Sequence, residues 1–245
     1  MLDIEGTTSP LDFVYGTLFP FARQHIPGFL KEHQASPEIA SLLQELKREN
    51  NVDVAAGAPP MAEEKYLKTS ISYLLWLMDH DRKSGPLKTL QGFVWRQGYA
   101  LGELKGNVFD DVPGCLRQWC DDGLRTAIYS SGSVLAQKML FAHTAHGDLT
   151  QFIDRYFDTR VGPKTDLRSY QAIVNELYVK PGRTLFVSDV TEELEAARSA
   201  GLTTVLSVRP GNADPRKREQ YRQVQSLAEI FCCPKTALPG ETPQR

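Results

Sequence analysis

The chain has 245 residues, with 28 lysines and arginines against 30 aspartates and glutamates, so its formal net charge is −2. This near-neutral balance argues against electrostatic capture of nucleic acid or anionic lipid, although a local basic pocket can still bind a small phosphate. No apolar run is long enough to cross a bilayer, and residues 1–5 lack the basic and apolar segments of a secretory signal. We therefore expect a cytoplasmic protein that binds neither nucleic acid nor membrane.

Cysteine usage fits a reducing compartment. The four cysteines are Cys115, Cys120, Cys232 and Cys233. The first two lie five residues apart in a predicted helix and point in different directions, and the adjacent pair is poorly placed for an ordinary disulfide. We expect four reduced cysteines and no cysteine metal site.

Residues from about 11 to 105 predict consecutive helices without a convincing strand. Apolar residues recur at helical spacing in 11–24 and 63–81. Ser36 and Pro37 are a favourable N-cap and first-turn pair, and Pro86 opens another helix. We assign residues 13–105 to one all-helical domain, the helical insert.

From about residue 106, short apolar strands alternate with helices. Strands are predicted over 124–129, 156–159, 184–188 and 203–208, and helices over 134–143, 169–178 and 192–200. Repeated strand–helix units give a doubly wound, Rossmann-like α/β core, a parallel sheet covered on both faces. We assign residues 1–12 and 106–233 to this discontinuous core, and residues 234–245, with three prolines, to a loose tail.

Polar side chains follow the predicted strands, at the edge where the active sites of such sheets lie. Asp3 and Glu5 stand two apart before a glycine turn. In such a pair one carboxylate can attack phosphorus while the other donates and removes protons. Ser130 and Ser131 follow a strand and open a helix, where hydroxyl and backbone N–H groups bind anions. Each pattern also occurs as an ordinary turn or helix cap.

Two further positions lie later in the chain. Lys164 stands near a helix start, where a cation opposes the helix dipole, so a bound phosphate would explain it. The alternative is a solvated surface lysine. Asp189 ends a strand and Glu193 follows four residues later, and carboxylates from two strand ends suit a hard metal ion. Acidic residues are also favoured at helix starts for their own sake.

Taken in order, these four parts resemble the signature of the haloacid dehalogenase-like phosphatase superfamily, although most of its members have aspartate where this chain has Glu5. Longer motifs resemble the enolase-phosphatase (acireductone synthase) family over residues 2–212. They include Asp3-Ile4-Glu5-Gly6-Thr7-Thr8, Leu18-Phe19-Pro20, Leu90-Gln91-Gly92-Phe93-Val94-Trp95 and Tyr129-Ser130-Ser131-Gly132-Ser133-Val134.

The resemblance implies an enzyme of methionine salvage that uses one Mg²⁺ ion. It would enolise 2,3-diketo-5-methylthiopentyl-1-phosphate and then hydrolyse the phosphate through an aspartyl-phosphate, giving acireductone. Asp3 would be the nucleophile and a metal ligand, together with the backbone carbonyl of Glu5 and the Asp189 side chain. The Glu5 side chain would be the acid/base group, and it is one candidate for the enolisation base.

The resemblance also implies how the substrate is held. Ser130, Ser131 and Lys164 would bind the phosphate, and Lys164 would also pair with Asp3. Glu193 would support the metal through a second-shell hydrogen bond. The helical insert would be a cap that closes over the site and excludes water.

Within the insert, Gln91, Trp95 and Tyr99 are candidates to face the substrate, and the alternative for the aromatic pair is packing inside the insert. The resemblance suggests a monomer.

Two other functions stay open at this stage. One is a general Mg²⁺-dependent phosphomonoesterase of the same superfamily. The other is an inactive, N-terminally truncated relative, because only Met1 and Leu2 precede Asp3, where the family has several apolar residues. A true start upstream of Met1 or a neighbouring segment that fills the gap would also explain the short start, and we expect the upstream start.

Overall fold

The structure is a computed structural model that describes residues 1–212 and 218–231. Cys232, Cys233 and the tail predicted over 234–245 lie outside these residues. Within the described part, no helix is both long and apolar enough to cross a membrane. Cys115 and Cys120 both lie in one helix, and neither forms a disulfide within the described residues.

Residues 11–100 are mainly helical, as predicted. The α-helices are α1 (Leu11–Phe13), α2 (Phe19–His33), α3 (Pro37–Asp53), α4 (Tyr66–Asp79) and α5 (Gly85–Ala100). A π-helical turn, Val14–Leu18, joins α1 to α2, and 3₁₀ turns lie at Val54–Ala56 and Glu63–Lys65. The Ser36 hydroxyl accepts the N–H of Ile39 at 3.3 Å, so the predicted N-cap of α3 is confirmed.

Strands and helices alternate in the remainder of the chain. They are α6 (Asp111–Asp121), β1 (Ala127–Tyr129), α7 (Val134–Ala142), β2 (Arg155–Phe157), α8 (Leu167–Glu176), β3 (Leu185–Ser188), α9 (Thr191–Ser199), β4 (Thr203–Ser207) and β5 (Arg222–Val224). Further 3₁₀ turns lie at Thr150–Phe152, Pro181–Arg183, Arg218–Gln220 and Leu227–Glu229. The predicted strand over 124–129 begins only at Ala127, and β5 was not predicted.

The strands form a parallel sheet in the order β2, β1, residues 1–3, β3, β4, β5. Leu2 bridges Ile128 of β1 on one side and Val187 of β3 on the other. The predicted doubly wound α/β core is therefore confirmed, with the amino-terminal segment as its central strand.

This central strand is short but bonded on both sides. The Leu2 N–H donates to the Ala127 carbonyl oxygen at 2.9 Å, and the Asp3 N–H donates to that of Val187 at 2.9 Å. Leu2 is only 2% exposed. Asp3 consequently stands at the carboxyl end of the middle strand of the sheet.

Alternate strand residues pack into two apolar cores on opposite faces of the sheet. Ile128, Val187 and Val205 join the core that extends through α6 and α7 into the helical insert. Tyr129, Phe186 and Leu206 join the core formed with α8 and α9. Because the strands are buried on both faces, their sequences are continuously apolar rather than alternating.

Candidate active site

A buried lysine between two carboxylates lies at the carboxyl end of the central strand. The Lys164 ammonium is 2.5 Å from Oδ1 of Asp3 and 2.6 Å from Oε2 of Glu193. The Lys164 and Asp3 side chains are only 8% and 6% exposed. The structure thus brings together three predicted residues that are up to 190 positions apart in the chain.

Lys164 is held in place by its backbone and by two aromatic rings. Its carbonyl oxygen accepts the Tyr170 hydroxyl at 2.7 Å, and its ammonium lies 5.8 Å from the ring centre of Tyr129 and 5.9 Å from that of Phe186. Burial lowers the pKa of Lys164, but the charges of Asp3 and Glu193 raise it more, and the net pKa lies above its usual value. The lysine is therefore a fixed cation.

Ser188 connects the two carboxylates and was missed by the sequence analysis as a site residue. Its hydroxyl, fully buried at the end of β3, lies 2.9 Å from Oε2 of Glu193 and 3.4 Å from Oδ2 of Asp3. Burial, followed by the charge of Asp3, raises the pKa of Glu193 to about 7. The only available signal was the position of Ser188 next to Asp189 at a strand end.

The turn after Asp3 brings the Asp189 carboxylate close to the backbone. Gly6 has a φ of +67°, and a Cβ at this position would collide with the Asp189 carboxylate. The Gly6 carbonyl oxygen accepts the Asn212 amide at 2.9 Å and the Ser207 hydroxyl at 3.1 Å, which fixes the turn against the end of β4. Burial, followed by the charge of Asp3, raises the pKa of Asp189 to about 7.

Glu5 lies on the side of the site that faces the helical insert. Burial raises its pKa, the charge of Asp3 adds to this, and Lys164 opposes it. The charge of Glu5 is in turn the largest cause of a raised pKa of Tyr15 in the π-helical turn. The Glu5 carboxyl is therefore near enough to Asp3 and to Tyr15 to affect the pKa values of this region.

Ser130 and Ser131 lie at the same sheet edge but outside the charged cluster. Ser130 is 3% exposed, and its hydroxyl accepts the N–H of Gly132 at 3.2 Å. Ser131 is exposed, and its carbonyl oxygen accepts the Lys88 ammonium of α5 at 2.7 Å. Lys88 was also missed, although a cation in the first turn of a helix was the signal used for Lys164.

Comparison with known proteins decides the family. The haloacid dehalogenase-like hydrolase profile matches residues 14–201. The protein named enolase-phosphatase E1 in Synechococcus elongatus is 49% identical over 213 residues, which cover 87% of this chain and 89% of that relative. The Drosophila persimilis protein of the same name is 41% identical, covering 98% and 95%. This chain belongs to the enolase-phosphatase family of haloacid dehalogenase-like hydrolases.

A solved structure supports the assignment at the level of the fold. The UTR4 protein of Saccharomyces cerevisiae is 33% identical and superposes with a TM-score of 0.75, covering 92% of this chain and 96% of that one. The predicted family resemblance is therefore confirmed over nearly the whole chain.

The donor set beside Asp3 fits the divalent cation that the family implies. Within the described residues, no three His, Cys, Asp or Glu side chains are grouped closely enough to hold a metal ion by themselves. Mg²⁺ is commonly held by one or two carboxylates, with water and substrate phosphate as its other ligands. Asp3 and Asp189 offer two such carboxylates. Burial is the main cause of the raised pKa of Asp189, and the charge of Asp3 adds to it, so a cation here would stabilise both carboxylates.

The three insert residues singled out in this enolase-phosphatase are all buried. The indole N–H of Trp95 donates to the Leu18 carbonyl oxygen at 2.8 Å, so this polar group is already used within the insert. Tyr99 stacks on His143 of the core with ring centres 5.1 Å apart, and its buried hydroxyl has no partner among the described residues. Packing accounts for Trp95, while Tyr99 joins the insert to the core.

Proposed function

We propose that this protein is a bifunctional enolase-phosphatase that converts 2,3-diketo-5-methylthiopentyl-1-phosphate to acireductone in methionine salvage. The observation that carries the proposal is the Asp3 carboxylate, fixed at a central strand end 2.5 Å from the buried Lys164 ammonium. Relatives that are 41–49% identical over most of the chain have the name enolase-phosphatase.

In the phosphatase half of the reaction, Asp3 is the nucleophile. One of its carboxylate oxygens attacks phosphorus, the bond from phosphorus to the enol oxygen breaks, and the phosphoryl group is transferred to Asp3. Glu5 gives its proton to the departing oxygen, which its raised pKa favours. Lys164 offsets the charge of the phosphoryl oxygens without moving, because both carboxylates already fix it.

Hydrolysis of the aspartyl-phosphate then uses the same residues in reverse roles. Glu5, now deprotonated, removes a proton from water, and the water oxygen attacks phosphorus. The bond from phosphorus to the Asp3 oxygen breaks, so phosphate is released and the Asp3 carboxylate is restored.

We assign one Mg²⁺ site to Asp3, Asp189 and the backbone carbonyl of Glu5, with Glu193 as a supporting residue. When bound, the ion neutralises negative charge shared by the carboxylates and the phosphate. Ser130, Ser131 and the amino end of α7 provide hydroxyl and N–H donors for the phosphate.

For the enolisation step we propose Glu5 as the base that removes the proton next to the substrate carbonyl. It lies on the insert side of Asp3, where the carbon chain of a substrate with its phosphate at Asp3 would extend. The helical insert, residues 13–105, acts as the cap that excludes water from this step.

The test compares wild type and Asp3→Asn with the diketo phosphate and Mg²⁺, following phosphate release and the transient absorbance of the enol. We expect the wild type to show the enol before phosphate, and the variant to release no phosphate. Phosphate release without an enol, together with equally fast hydrolysis of unrelated sugar phosphates, would instead indicate a general phosphomonoesterase. Full activity of the variant would contradict the aspartyl-phosphate route.

A further inference from the structure

Two side-chain oxygens converge on the α-carbon of Gly6 at the carboxyl end of the sheet. A Cβ on Gly6 would collide with Oδ2 of Asp189 and would lie 2.9 Å from Oδ1 of Asn212. Because both oxygens lie beside the same point, they are neighbours across the Gly6 backbone. We call the space between these two oxygens and the Gly6 α-carbon the Gly6 niche. It adjoins the cation site that we assign to Asp3 and Asp189.

The orientation of the Asn212 amide is fixed by its partners. Its Nδ2 donates to the Gly6 carbonyl oxygen at 2.9 Å and lies 3.4 Å from the Ser207 carbonyl oxygen. Carbonyl oxygens only accept hydrogen bonds, so the NH₂ end of the amide must face them. The Oδ1 end of the amide is therefore the one that faces the niche.

Both oxygens of the niche are acceptors without a donor. Among the described residues, no other residue donates a hydrogen bond to the Asp189 carboxylate, and none donates to Oδ1 of Asn212. Two acceptors this close together, in a partly buried position, need a shared donor or a cation to offset their repulsion. A water molecule that donates to both oxygens meets this need.

The cation implied by the family brings such donors with it. Mg²⁺ held by one or two carboxylates keeps several water ligands, and those waters need acceptors in the protein. Glu193 is poorly available for this purpose, because its Oε2 already lies 2.6 Å from the Lys164 ammonium and 2.9 Å from the Ser188 hydroxyl. The amide oxygen of Asn212 is an acceptor that no described residue uses.

We propose that Asn212 is a positioning residue of the cation site, an inference that rests on the assignment of this site in the proposed function. Oδ1 of Asn212 accepts a hydrogen bond from a water ligand of the cation bound at Asp189, and so orients that ligand. An outer partner of this kind raises the affinity of a site for its metal. Because the amide is uncharged, it does so without adding a third carboxylate beside Asp3 and Asp189.

The probe is Mn²⁺, which binds to the same oxygen ligands as Mg²⁺ and is counted by electron paramagnetic resonance when it is free in water. It is titrated into the full chain without substrate, and competition by Mg²⁺ gives the Kd for that ion. We expect saturable binding by wild type and strongly reduced binding by Asp189→Asn. Asn212→Ala should bind both ions about tenfold more weakly, because the loss of an outer partner has an effect of that size.

Two further variants separate the two ends of the amide. Asn212→Asp keeps an oxygen in the niche and removes the donor to Gly6, so it should bind Mn²⁺ at least as tightly as wild type. Ser207→Ala removes the other donor to the Gly6 carbonyl oxygen, a hydroxyl at 3.1 Å, and should raise the Kd by about threefold at most. The matched control is Asn175→Ala, at an exposed position of α8, which should leave the Kd unchanged.

Two results would overturn the role of Asn212 alone. One is wild-type affinity in Asn212→Ala while Asp189→Asn has lost binding, which leaves the proposed function intact. The other is an equal loss in Asn212→Ala, Asn212→Asp and Ser207→Ala, which would mean that Asn212 acts only by holding the Gly6 turn. A wild type that binds no Mn²⁺, or an Asp189→Asn variant that binds it equally well, would overturn the assigned cation site and this inference together.

Discussion

The two ends of the central sheet differ in the chemistry of their side chains. At the carboxyl end, Lys164 is bonded to Asp3 and Glu193, and Ser188 links the two carboxylates. At the amino end, Leu124, Tyr178 and Phe231 expose large apolar side chains instead. The carboxyl end therefore gathers the charged groups, while the amino end presents apolar surface.

The largest expected effect concerns the nucleophile at the carboxyl end. Asp3→Asn should lower kcat for phosphate release by about 10⁴-fold or more, because a neutral amide cannot form the acyl-phosphate. Single-turnover phosphate release measures the change. The matched control is Asp12→Asn, an exposed acidic residue of α1, which should keep wild-type kcat. Comparable losses of kcat in both variants would show that Asp3 is not the nucleophile.

Lys164→Met should strongly destabilise the fold, since it leaves Asp3 and Glu193 buried without their cation. The expected loss is about 3 kcal/mol in the free energy of unfolding, measured by urea denaturation at about pH 8. At about pH 5 the loss should be smaller, because Glu193 with its pKa near 7 is then protonated. The double variant Lys164→Met/Glu193→Gln should recover part of the stability, and a loss independent of pH would contradict this account.

The metal-free protein should lose stability as the pH rises. The folded-state pKa of Asp189, about 7, lies above its ordinary value of 3.8, so the folded state binds the extra proton. The stabilisation that this proton gives to the folded state is complete below about pH 4 and is lost as the pH rises through about 7. At about pH 8 and with a chelator, Asp189→Asn should exceed wild type by on the order of 2 kcal/mol in the free energy of unfolding. Near pH 4, wild type and Asp189→Asn should have equal free energies of unfolding. A wild type that is more stable than the variant at both pH values would refute the prediction.

A smaller effect is expected at the contact between Lys88 of the helical insert and Ser131, a residue proposed to bind the phosphate. Lys88→Gln removes the charged bond to the Ser131 carbonyl oxygen and should raise KM by about tenfold with a smaller change in kcat. Steady-state kinetics with the diketo phosphate measure both constants. Lys105→Gln, an exposed lysine after α5, is the control and should leave KM unchanged. An unaltered KM in Lys88→Gln would show that this contact does not act on the substrate.

The smallest expected effect tests whether the two ends are separate. Leu124→Glu, at an exposed position before β1, should keep kcat and KM within about twofold of wild type, because its side chain lies at the opposite end of the sheet from the site and surface substitutions have small effects. The same steady-state assay applies. A large fall in kcat would mean that the amino end influences Asp3 through the central strand.

Much of the fold could be predicted because local chemistry and tertiary structure agree. Ser36 caps α3 as its position before Pro37 indicates, and apolar strand runs such as 185–188 are buried on both faces. The order of the four polar motifs along the chain was sufficient to infer the superfamily, and the longer motifs were needed to infer the family. Asp3, Lys164 and Glu193 then prove to be in contact.

Other features depend on tertiary contacts and have no local signal. β5 has two exposed residues out of three, so no apolar pattern predicts it. Residues 124–126 directly precede an apolar run and were predicted as part of its strand, but the Thr126 N–H is bonded to the Asp154 side chain, and β1 starts after it. Ser188 and Lys88 act on partners that only the folded chain brings near.

The placement of residues 1–3 has a consequence for folding order. The Asp3 partner Lys164 lies 161 positions away, and the Met1 partner Leu185 lies 184 positions away. Contacts this distant in sequence require a large loss of chain entropy before they contribute stability, which slows folding. During synthesis residues 1–3 leave the ribosome well before β1 and β3, so this segment has no strand partners until both have followed. The end of the sheet that carries Asp3 is therefore assembled late, around a segment that is synthesised before its strand partners.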